Sequence, residues 1–404
     1  MTDITAFGTY QPAWIDGRSR VLGPDEDMIT VAVAAGRSAL AGADRAAVSR
    51  VVLVCAEPDY LTGAPLPILV RGLELGGQVP AELRVGGAPA ALDAVAHAAP
   101  GTLVIGVESG VGAGGVGALV GSGGLGVEHA ETLQSSLPMR VHASGEPTTS
   151  VYDDGRVERE LGWRPTLDSL DAARNQPLLV GVPAKEASRL GGRSVPDGPG
   201  GAAGALFVLA RMAKEGETRR VIALDSAIGV AVDVTVDCEV AVVSDARPPL
   251  LSSGRPRRVG PSLTIPMSMP SYRRAVIEKV GLLGWRCPDC GAQAYPRREL
   301  CLGCRRSTES ESFPLPRRGE VYSTVTVHAP VPGIPTPRAL AIVSLPPTSV
   351  RVLAHVTDTA PDTCAIGAAG DLVLRLVAER EGVPDYGYAF RPDLSTVGEK
   401  VENS

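Results

Sequence analysis

Residues 285–306 of the chain read WRCPDCGAQAYPRRELCLGCRR, and this stretch decides how the C-terminal part folds. Cys287 and Cys290 form one Cys-x2-Cys pair, and Cys301 and Cys304 form a second pair after ten intervening residues. Each pair turns the backbone so that two thiolates point at one spot, and four such soft ligands suit a tetrahedral Zn²⁺. We therefore predict a structural zinc, with no ligand position left open for a catalytic water. Two disulfides or four unrelated thiols are the alternatives that this spacing leaves open.

The composition is that of a globular protein, since 44% of the 404 residues are hydrophobic, 21% are charged and the formal net charge is −6. This length predicts two or three domains. No apolar run reaches the roughly 18–20 residues that cross a bilayer, and the first residues lack the pattern of a signal peptide. The other cysteines, Cys55, Cys238 and Cys364, stand singly, as is usual in a reducing compartment. We therefore expect a cytoplasmic protein without a membrane partner.

Residues 1 to about 130 alternate short apolar runs with helical patterns, which predicts an α/β layer architecture. The first helix is expected over 25–43, with acidic residues in its first turn, and a buried strand follows at Arg50–Cys55. The same patterns predict further helices and one more strand over residues 66–75, 88–97 and 102–109, in that order.

An internal repeat relates residues 86–109 to residues 200–226, because each copy reads as a Gly-rich turn, a small-residue helix and a core strand. Such a duplication predicts two similar α/β halves packed together, although Ala-rich helices also resemble one another by chance. Between the copies, Gly112, Gly114 and Gly117 satisfy the spacing G-x-G-x-x-G. A dinucleotide loop would follow the first strand of its unit and precede a long helix, so we interpret these glycines as sites of close backbone packing.

Residues beyond 244 first lose their periodic pattern and then regain one typical of strands. Residues 244–270 are rich in Pro, Ser and Arg and are interpreted as a linker or extended arm. A helix is expected over 271–280, before the cysteine pairs. Beyond Gly319, short runs with alternating apolar residues predict a small barrel of about five strands, with strands over 321–328, 339–345, 350–356 and 371–377.

Two family resemblances follow from these motifs. The stretches CPDCGAQAYPRRELCLGC, RRGEVYSTVTVH, IGAAGDLVL and YAFRPD resemble the acyl-CoA-associated zinc-ribbon and OB-fold family, also called DUF35, over residues 271–393. The stretches DEDMITVAVAAGRSAL, RVVLVCAEPD, APAALDAVAHA and GGAAGALFVLA resemble the thiolase superfamily, nearest hydroxymethylglutaryl-CoA synthase and ketoacyl synthase III. The resemblances imply an α/β thiolase-like layered domain of two similar halves, followed by a zinc ribbon and a small all-β OB-fold barrel.

The expected domain organisation combines both resemblances with the composition. It comprises a thiolase-like domain at 1–245, a linker at 246–270, a helix and zinc ribbon at 271–312, an OB-fold barrel at 313–393 and a solvated tail at 394–404.

The thiolase-like part departs from its family at the catalytic positions. The family resemblance places a Cys nucleophile at the N-terminus of the buried helix, and here that register falls on Val85. No Cys, Ser or Thr lies within residues 82–91, and no His lies within 179–206, where the second half should provide one. Covalent acyl transfer by this route is therefore not expected.

Other nucleophiles and bases are weak candidates. Cys55 ends a predicted core strand and is interpreted as a buried structural thiol. His97 lies on the Ala-rich helix and is interpreted as a surface or hydrogen-bonded histidine. His129 and His142 flank a loop-like region without a nucleophile beside them in sequence. The sequence contains no G-x-S-x-G elbow, P-loop or H-E-x-x-H motif.

A local excess of positive charge surrounds the ribbon. Residues 251–320 contain thirteen Arg and Lys against six Asp and Glu, a formal +7 that a Zn(Cys)₄ centre lowers by about two. The resemblance implies coenzyme A thioesters as ligands, and arginines bind their phosphates by charge-assisted hydrogen bonds. The candidate ligands are Arg286, Arg297, Arg298, Arg305 and Arg306. Solvated arginines on the ribbon surface are the alternative.

The missing catalytic groups favour an accessory role. We expect a non-catalytic or accessory subunit of an acyl-CoA thiolase, acyltransferase or aldolase complex. Its ribbon and barrel would bind the acyl-CoA and a thiolase-fold partner with intact Cys and His, in a homo- or hetero-oligomer.

Two alternatives stay open. A Cys-independent acyl-CoA enzyme, of the hydroxymethylglutaryl-CoA synthase or retro-aldolase type, would use a general base, and Tyr322, His328, Tyr386 and Tyr388 are available. Nucleic-acid binding is the other alternative, because zinc ribbons and OB-folds both serve it. The scarcity of aromatic residues, 4% of the chain, and the acidic net charge of −6 count against it.

Overall fold

The computed structural model describes residues 1–60, 65–134, 140–141, 150–151, 156, 158–170, 176–194, 198–225, 228–251, 268–307, 309–329 and 336–393. His142, the predicted tail 394–404 and most of the predicted linker lie outside these residues. Two compact units are present. The first comprises Met1–Pro12, Gly17–Val21 and Val31–Arg247, and the second comprises Ala13–Asp16, Leu22–Thr30 and Pro248–Ser404.

The helices of the described residues are α1 (Met28–Ala39), α2 (Leu66–Gly72), α3 (Ala88–Ala96), α4 (Arg164–Ser169), α5 (Ala184–Arg189), α6 (Gly201–Glu215) and α7 (Met269–Gly281). A 3₁₀ turn lies at Arg45–Ala47 and a π-helical turn at Glu158–Trp163. Within the described ranges, no helix has both the length and the apolar character that crossing a membrane requires.

The strands before residue 252 are β1 (Thr2–Gln11), β2 (Trp14–Asp16), β3 (Ser19–Arg20), β4 (Arg50–Cys55), β5 (Ala81–Val85), β6 (Thr102–Glu108), β7 (Gly114–Gly121), β8 (Leu125–Gln134), β9 (Arg140–Val141), β10 (Ser150–Val151), β11 (Leu178–Val180), β12 (Arg219–Asp225), β13 (Ile228–Val236), β14 (Ala241–Ala246) and β15 (Leu250–Leu251). The later strands are β16 (Leu283–Arg286), β17 (Gln293–Ala294), β18 (Glu311–Pro314), β19 (Arg318–Val327), β20 (Arg338–Ser344), β21 (Arg351–Val356), β22 (Ala369–Arg380) and β23 (Val383–Pro392).

The first unit is an α/β layer built from two similar halves. Its sheet runs in the order β11-β12-β13-β8-β1-β7-β6-β4-β5, with β14 paired to β1. In one half α3 leads into β6, which pairs with the antiparallel β7. In the other half α6 leads into β12, which pairs with the antiparallel β13. The predicted repeat is therefore confirmed as two copies of the same helix and strand order.

The two repeated helices pack against each other in the core of this unit. Ala91 and Leu92 of α3 and Ala203 and Leu206 of α6 are fully buried in one apolar cluster. Small residues at the contact let the two helices approach closely. Burial of each leucine side chain stabilises the fold by about 1.5–3 kcal/mol.

The glycine-rich run before residue 121 packs closely against α1, and the sequence interpretation of these glycines as sites of close packing agrees with this. A Cβ on Gly115 would come within 2.8 Å of Val31 Cγ1, and a Cβ on Gly117 would come within 3.1 Å of Ala39 Cβ. Both glycines belong to β7, and both contacts are to α1. These glycines are therefore needed for close contact between helix and strand, and no long helix of a dinucleotide loop follows them.

The first helix begins later than the sequence prediction placed it. Asp27 Oδ1 accepts hydrogen bonds from the amides of Ile29 (3.1 Å) and Thr30 (2.9 Å), so Asp27 caps α1 from outside. Asp25 and Glu26 therefore precede the helix. Both residues belong to the second unit, where their carboxylates lie near Arg375.

The second unit contains the ribbon sheet, in the order β17-β16-β18, and a closed barrel in the order β19-β20-β21-β23-β22. The prediction of a five-stranded barrel is confirmed. The sequence patterns located its first four strands and missed β23, which pairs with β22 through a hairpin. Glu381 and Gly382 at its turn have φ values of +49° and +79°, as a type I′ turn requires.

A buried arginine ties an N-terminal segment to this barrel. Arg375 of β22 is 1% exposed, and its Nη2 lies 2.8 Å from Asp358 Oδ2 and 3.4 Å from Glu26 Oε1. Its Nε lies 3.7 Å from Asp25 Oδ1. Burial raises the pKa of the Asp25 carboxyl, and the positive charge of Arg375 offsets part of that rise. This cluster explains why residues 22–30, predicted within the 1–245 domain, belong to the barrel unit.

A second buried contact fixes the same segment. The Tyr386 hydroxyl donates to Asp27 Oδ2 at 2.6 Å, and the Leu376 amide donates to the Asp25 carbonyl at 2.9 Å. The barrel unit therefore includes chain from both ends of the sequence.

Candidate functional site

The first cysteine knuckle is shaped by two backbone hydrogen bonds. The Gly291 amide donates to the Cys287 carbonyl at 2.9 Å, and the Cys287 amide donates to the Ala292 carbonyl at 2.9 Å. Gly291 has a φ of +72°, a conformation that glycine adopts at little cost. This turn brings the side chains of Cys287 and Cys290 to one side of the backbone.

The second knuckle repeats this pattern. The Arg305 amide donates to the Cys301 carbonyl and the Cys301 amide donates to the Arg306 carbonyl, each at 3.0 Å. Here the left-handed position is Arg305, with a φ of +58°, which costs more than it does for glycine. The Gly303 amide lies 3.3 Å from Cys301 Sγ, and hydrogen bonds from backbone amides lower the pKa of this thiol. These hydrogen bonds therefore favour the thiolate form of Cys301.

The four sulfur atoms fit a tetrahedral zinc ion. All four Sγ atoms lie within 4.8 Å of one another, with Cys287 3.9 Å from Cys304 and Cys290 3.5 Å from Cys301. Zn–S bonds of about 2.3 Å give sulfur–sulfur separations of about 3.8 Å in a tetrahedron. Every cysteine of the chain is unbridged, so the two-disulfide alternative is not what the structure contains. The residues present suit a structural Zn(Cys)₄ centre.

The five candidate ribbon arginines are all exposed, and three have protein partners. The Arg297 guanidinium lies 4.7 Å from the centre of the Trp285 ring, and the Arg286 guanidinium lies 5.1 Å from that of Phe313. Arg306 Nη1 lies 3.9 Å from Asp289 Oδ2. These three arginines therefore already contact other side chains, and the role of the five arginines in phosphate binding remains a prediction.

The position of the missing nucleophile in the first unit is taken by other groups. Val85 ends β5 and is 59% exposed, and Gly87 caps α3 two residues later. A Cβ on Gly87 would come within 2.5 Å of Asp225 Oδ2, so a carboxylate lies against the start of this helix. The positive end of the helix dipole stabilises an anion, and here it meets Asp225 instead of a thiolate.

The second half mirrors this arrangement. Glu108, at the end of β6, lies against Gly201 at the start of α6 in the way that Asp225 lies against Gly87. Each half therefore places a carboxylate at the central helix of the other half. Negative charge at both helix starts opposes the oxyanion that develops during acyl transfer.

Cys55 is the thiol that lies nearest to Val85 in strand register, and it is unreactive because it is buried. It pairs with Val85 across β4 and β5 and is 1% exposed. Burial raises the pKa of its thiol to about 12, so the thiolate is scarce at neutral pH. The interpretation of Cys55 as a structural thiol agrees with this environment.

The structure brings together two histidines that the sequence analysis treated separately. His129 lies in β8 rather than in a loop, so that prediction was wrong, and its ring centre is 4.8 Å from that of His97. His97 Nδ1 lies 3.1 Å from Asp93 Oδ1, and Asp93 also pairs with Arg84. Sequence patterns could not reveal this cluster, because α3 and β8 meet only through tertiary packing.

The four candidate bases of the barrel do not form one site. The Tyr388 hydroxyl donates to the Val280 carbonyl at 2.9 Å, and the Tyr386 hydroxyl is bound to a buried carboxylate. Tyr322 and His328 are exposed, and the Arg351 guanidinium lies 3.6 Å from the centre of the Tyr322 ring. The retro-aldol alternative therefore lacks a converged base among these residues.

Two cavities open in the barrel unit, and sequence reasoning missed the residues that separate them. The larger, of about 410 Å³, and the smaller, of about 260 Å³, share Arg338, His355, Val377 and Ala378 in their walls. Burial and the nearby charges of Arg338 and Lys279 lower the pKa of His355. The sequence signal that could have revealed this site was the polar residue His355 within the strand predicted over 350–356.

Known proteins match both parts of the chain. The family model of the ChsH2 C-terminal OB-fold domain matches residues 313–375. A DUF35 domain-containing scaffold protein of Methanocaldococcus jannaschii is 35% identical over 123 residues, which is 30% of this chain and 86% of that protein. The benzoylsuccinyl-CoA thiolase subunit BbsA of Thauera aromatica is 32% identical over 27% of this chain and 75% of the subunit.

A solved structure aligns with the N-terminal part. The 3-oxoacyl-(acyl carrier protein) synthase III of Pseudomonas aeruginosa covers 59% of this chain and 99% of its own, with 15% identity and a TM-score of 0.43.

Proposed function

The chain belongs to the DUF35 family, and from this premise we propose that it is an accessory subunit of an acyl-CoA enzyme complex. Relatives named as a scaffold protein and as a thiolase subunit support this role. The ribbon and barrel bind a thiolase-fold partner that has its own Cys and His, and they contact the acyl-CoA that the partner uses. The single observation that carries the proposal is Asp225 lying against the helix start where a nucleophile would stand.

The two units divide this work. The thiolase-like unit keeps the packed core and the broad sheet of its fold, which supplies surface for pairing with an active relative. The ribbon supplies a rigid, zinc-fixed surface with a positive rim. The coenzyme A phosphates are attracted to such a rim, and the predicted ligands there are Arg286, Arg297, Arg298, Arg305 and Arg306.

Co-purification tests the proposal. The full chain is isolated under mild conditions together with untagged neighbours, and bound proteins are identified by their sequences. We expect a thiolase-fold protein with intact Cys and His among them, and its loss when Cys290→Ser disrupts the ribbon. Cys238→Ser, which changes an exposed cysteine outside the ribbon, is the matched control. A chain that purifies without such a protein from cells that contain one contradicts the proposal.

A further inference from the structure

Asp93, His97 and His129 form a cluster of metal-ligating side chains that the proposed function does not use. Each residue has one possible ligand atom, a carboxylate oxygen or a ring nitrogen, within 4.8 Å of those of the other two. All three residues belong to the first unit. Two imidazole nitrogens and one carboxylate oxygen suit Zn²⁺ and similar first-row transition-metal ions. The cluster therefore has the donor set of a metal site.

The end of α3 positions two of the three ligands. Asp93 lies in the last turn of α3 and His97 is its C-cap, so the two side chains, four residues apart, lie on one face. His97 Nδ1 lies 3.1 Å from Asp93 Oδ1. Two ligands of a tetrahedral zinc ion, with bonds of about 2.0–2.1 Å, lie about 3.3–3.4 Å apart, so binding needs little movement here. The other carboxylate oxygen, Oδ2, accepts a hydrogen bond from Arg84, which holds the carboxylate in place.

An irregularity in β8 brings the third ligand to the same place. His129 and Glu131 pair with consecutive residues of β13, so Ala130 is an extra residue in β8. An extra residue of this kind changes the direction of the neighbouring side chains. His129 Nε2 lies 2.8 Å from Thr132 Oγ1, and the ring centre of His129 lies 4.8 Å from that of His97. A hydrogen bond at Nε2 orients the imidazole of His129 and leaves its Nδ1 for an ion.

A cavity of about 520 Å³ beside His97 gives an ion a route from solvent. The side chain of His97 is 57% exposed. Two arginines of the cavity wall are already paired, since Arg50 Nη2 lies 2.7 Å from Glu82 Oε2 and Arg84 binds the carboxylate of Asp93. Three protein ligands leave at least one coordination position, which water from this cavity fills. An ion held in this way exchanges with solvent.

We propose that Asp93, His97 and His129 bind an exchangeable divalent transition-metal ion, such as zinc, at the end of α3. This helix belongs to the first half of the unit, and β8 pairs with β13 of the second half, so the ion links the two halves. The positive charge of Arg84 offsets that of the carboxylate, and the site has three protein ligands where the ribbon has four thiolates. The ion is therefore held less tightly than the ribbon zinc and is lost on purification. This proposal is independent of the accessory role.

Calorimetric titration of zinc into the full chain, with the ribbon already loaded, tests the site. We expect one further zinc ion to bind per chain. His97→Gln and His129→Gln should each weaken its binding about tenfold or more, because each removes a ligand. His328→Gln, which changes an exposed histidine of the barrel, is the matched control and should bind zinc as the parent does. Magnesium prefers oxygen ligands and should not compete.

Thermal unfolding gives a second readout of the same site. Added zinc should raise the melting temperature of the parent and of His328→Gln, and it should raise that of His97→Gln less. Because His97 is largely exposed, His97→Gln is expected to fold even where His129→Gln does not, and melting without added zinc checks this. The alternative is a plain ion pair between a protonated His97 and Asp93. In that case the parent would bind no further zinc, or would bind it no better than the two histidine variants, and either result would overturn the proposal.

Discussion

The start of α3 and the second ribbon knuckle, both in the described part of the chain, each direct backbone N–H groups toward a point where a thiolate could stand, and of these two the knuckle has the sulfur. At the start of α3 the residues are Val85 and Gly87, and the carboxylate of Asp225 lies against the helix. At the ribbon, the Gly303 amide lies 3.3 Å from Cys301 Sγ. The comparison teaches that the chain retains thiolates for structure in the ribbon and lacks them for acyl transfer at the helix.

The largest effect is expected from removing the metal of the ribbon. Cys290→Ser removes one of the four thiolate ligands and should therefore abolish zinc binding at the ribbon. The fold of the site then loses the contribution of a structural zinc, which is about 10–16 kcal/mol. Metal analysis of the purified protein should give one zinc per chain before the change and none after it. Proteolysis should then cut within residues 283–314.

The matched control is Cys238→Ser, which alters an exposed cysteine of the first unit. It should leave both the zinc content and the proteolysis pattern unchanged. A Cys290→Ser protein that retains its zinc would show that the four cysteines do not act as one centre.

The next effect concerns the charge buried in the barrel. Arg375→Met removes the partner of Asp358 and Glu26 and leaves their carboxylates buried, which should cost about 3–5 kcal/mol. Urea unfolding measures the change. Arg351→Met, at an arginine that lies on the exposed Tyr322 ring, should cost less than about 1 kcal/mol. Equal costs for both variants would mean that residues 22–30 do not stabilise the barrel.

A smaller effect should appear in the pH dependence of stability. The folded pKa of Asp25 is raised above 3.8 by burial, so above that pH the folded chain binds more protons than the unfolded chain. Its contribution therefore falls as the pH rises through the raised pKa. Asp25→Asn should remove this fall, so its free energy of unfolding should gain on the parent by up to about 1.4 kcal/mol per pH unit.

Urea unfolding between pH 4 and pH 8 measures this difference. Asp362→Asn, at an exposed aspartate of the same unit, serves as the control and should follow the parent at every pH. A constant offset between Asp25→Asn and the parent would contradict the role of burial.

The parts of the fold that sequence could predict are those encoded locally. The two Cys-x2-Cys pairs fix the ribbon, and alternating apolar residues fix four barrel strands. Strand β23 was missed because Pro384 and Gly387 interrupt its pattern. The role of Asp25 was missed because its partner, Arg375, is 350 residues away and only the folded barrel brings them together.

The candidate site also has features that sequence could predict and features that depend on tertiary contacts. The absence of a nucleophile near Val85 could be read from sequence, because the helix and strand order gave its register. Asp225 against Gly87 could not, since the contact joins the two halves of the first unit. Arg338 and His355 were likewise ordinary strand residues until the incomplete pairing of β21 with β23 opened a cavity beside them.

Turnover of acetyl-CoA and acetoacetyl-CoA tests the central claim most directly. The rates are measured for the purified chain alone, for a captured thiolase-fold partner alone, and for the two combined. We predict no turnover by the chain alone at any concentration, and a higher rate for the combination than for the partner alone. Robust turnover by the chain alone would contradict the account, because it would require a nucleophile that the helix start at Val85 and Gly87 does not provide.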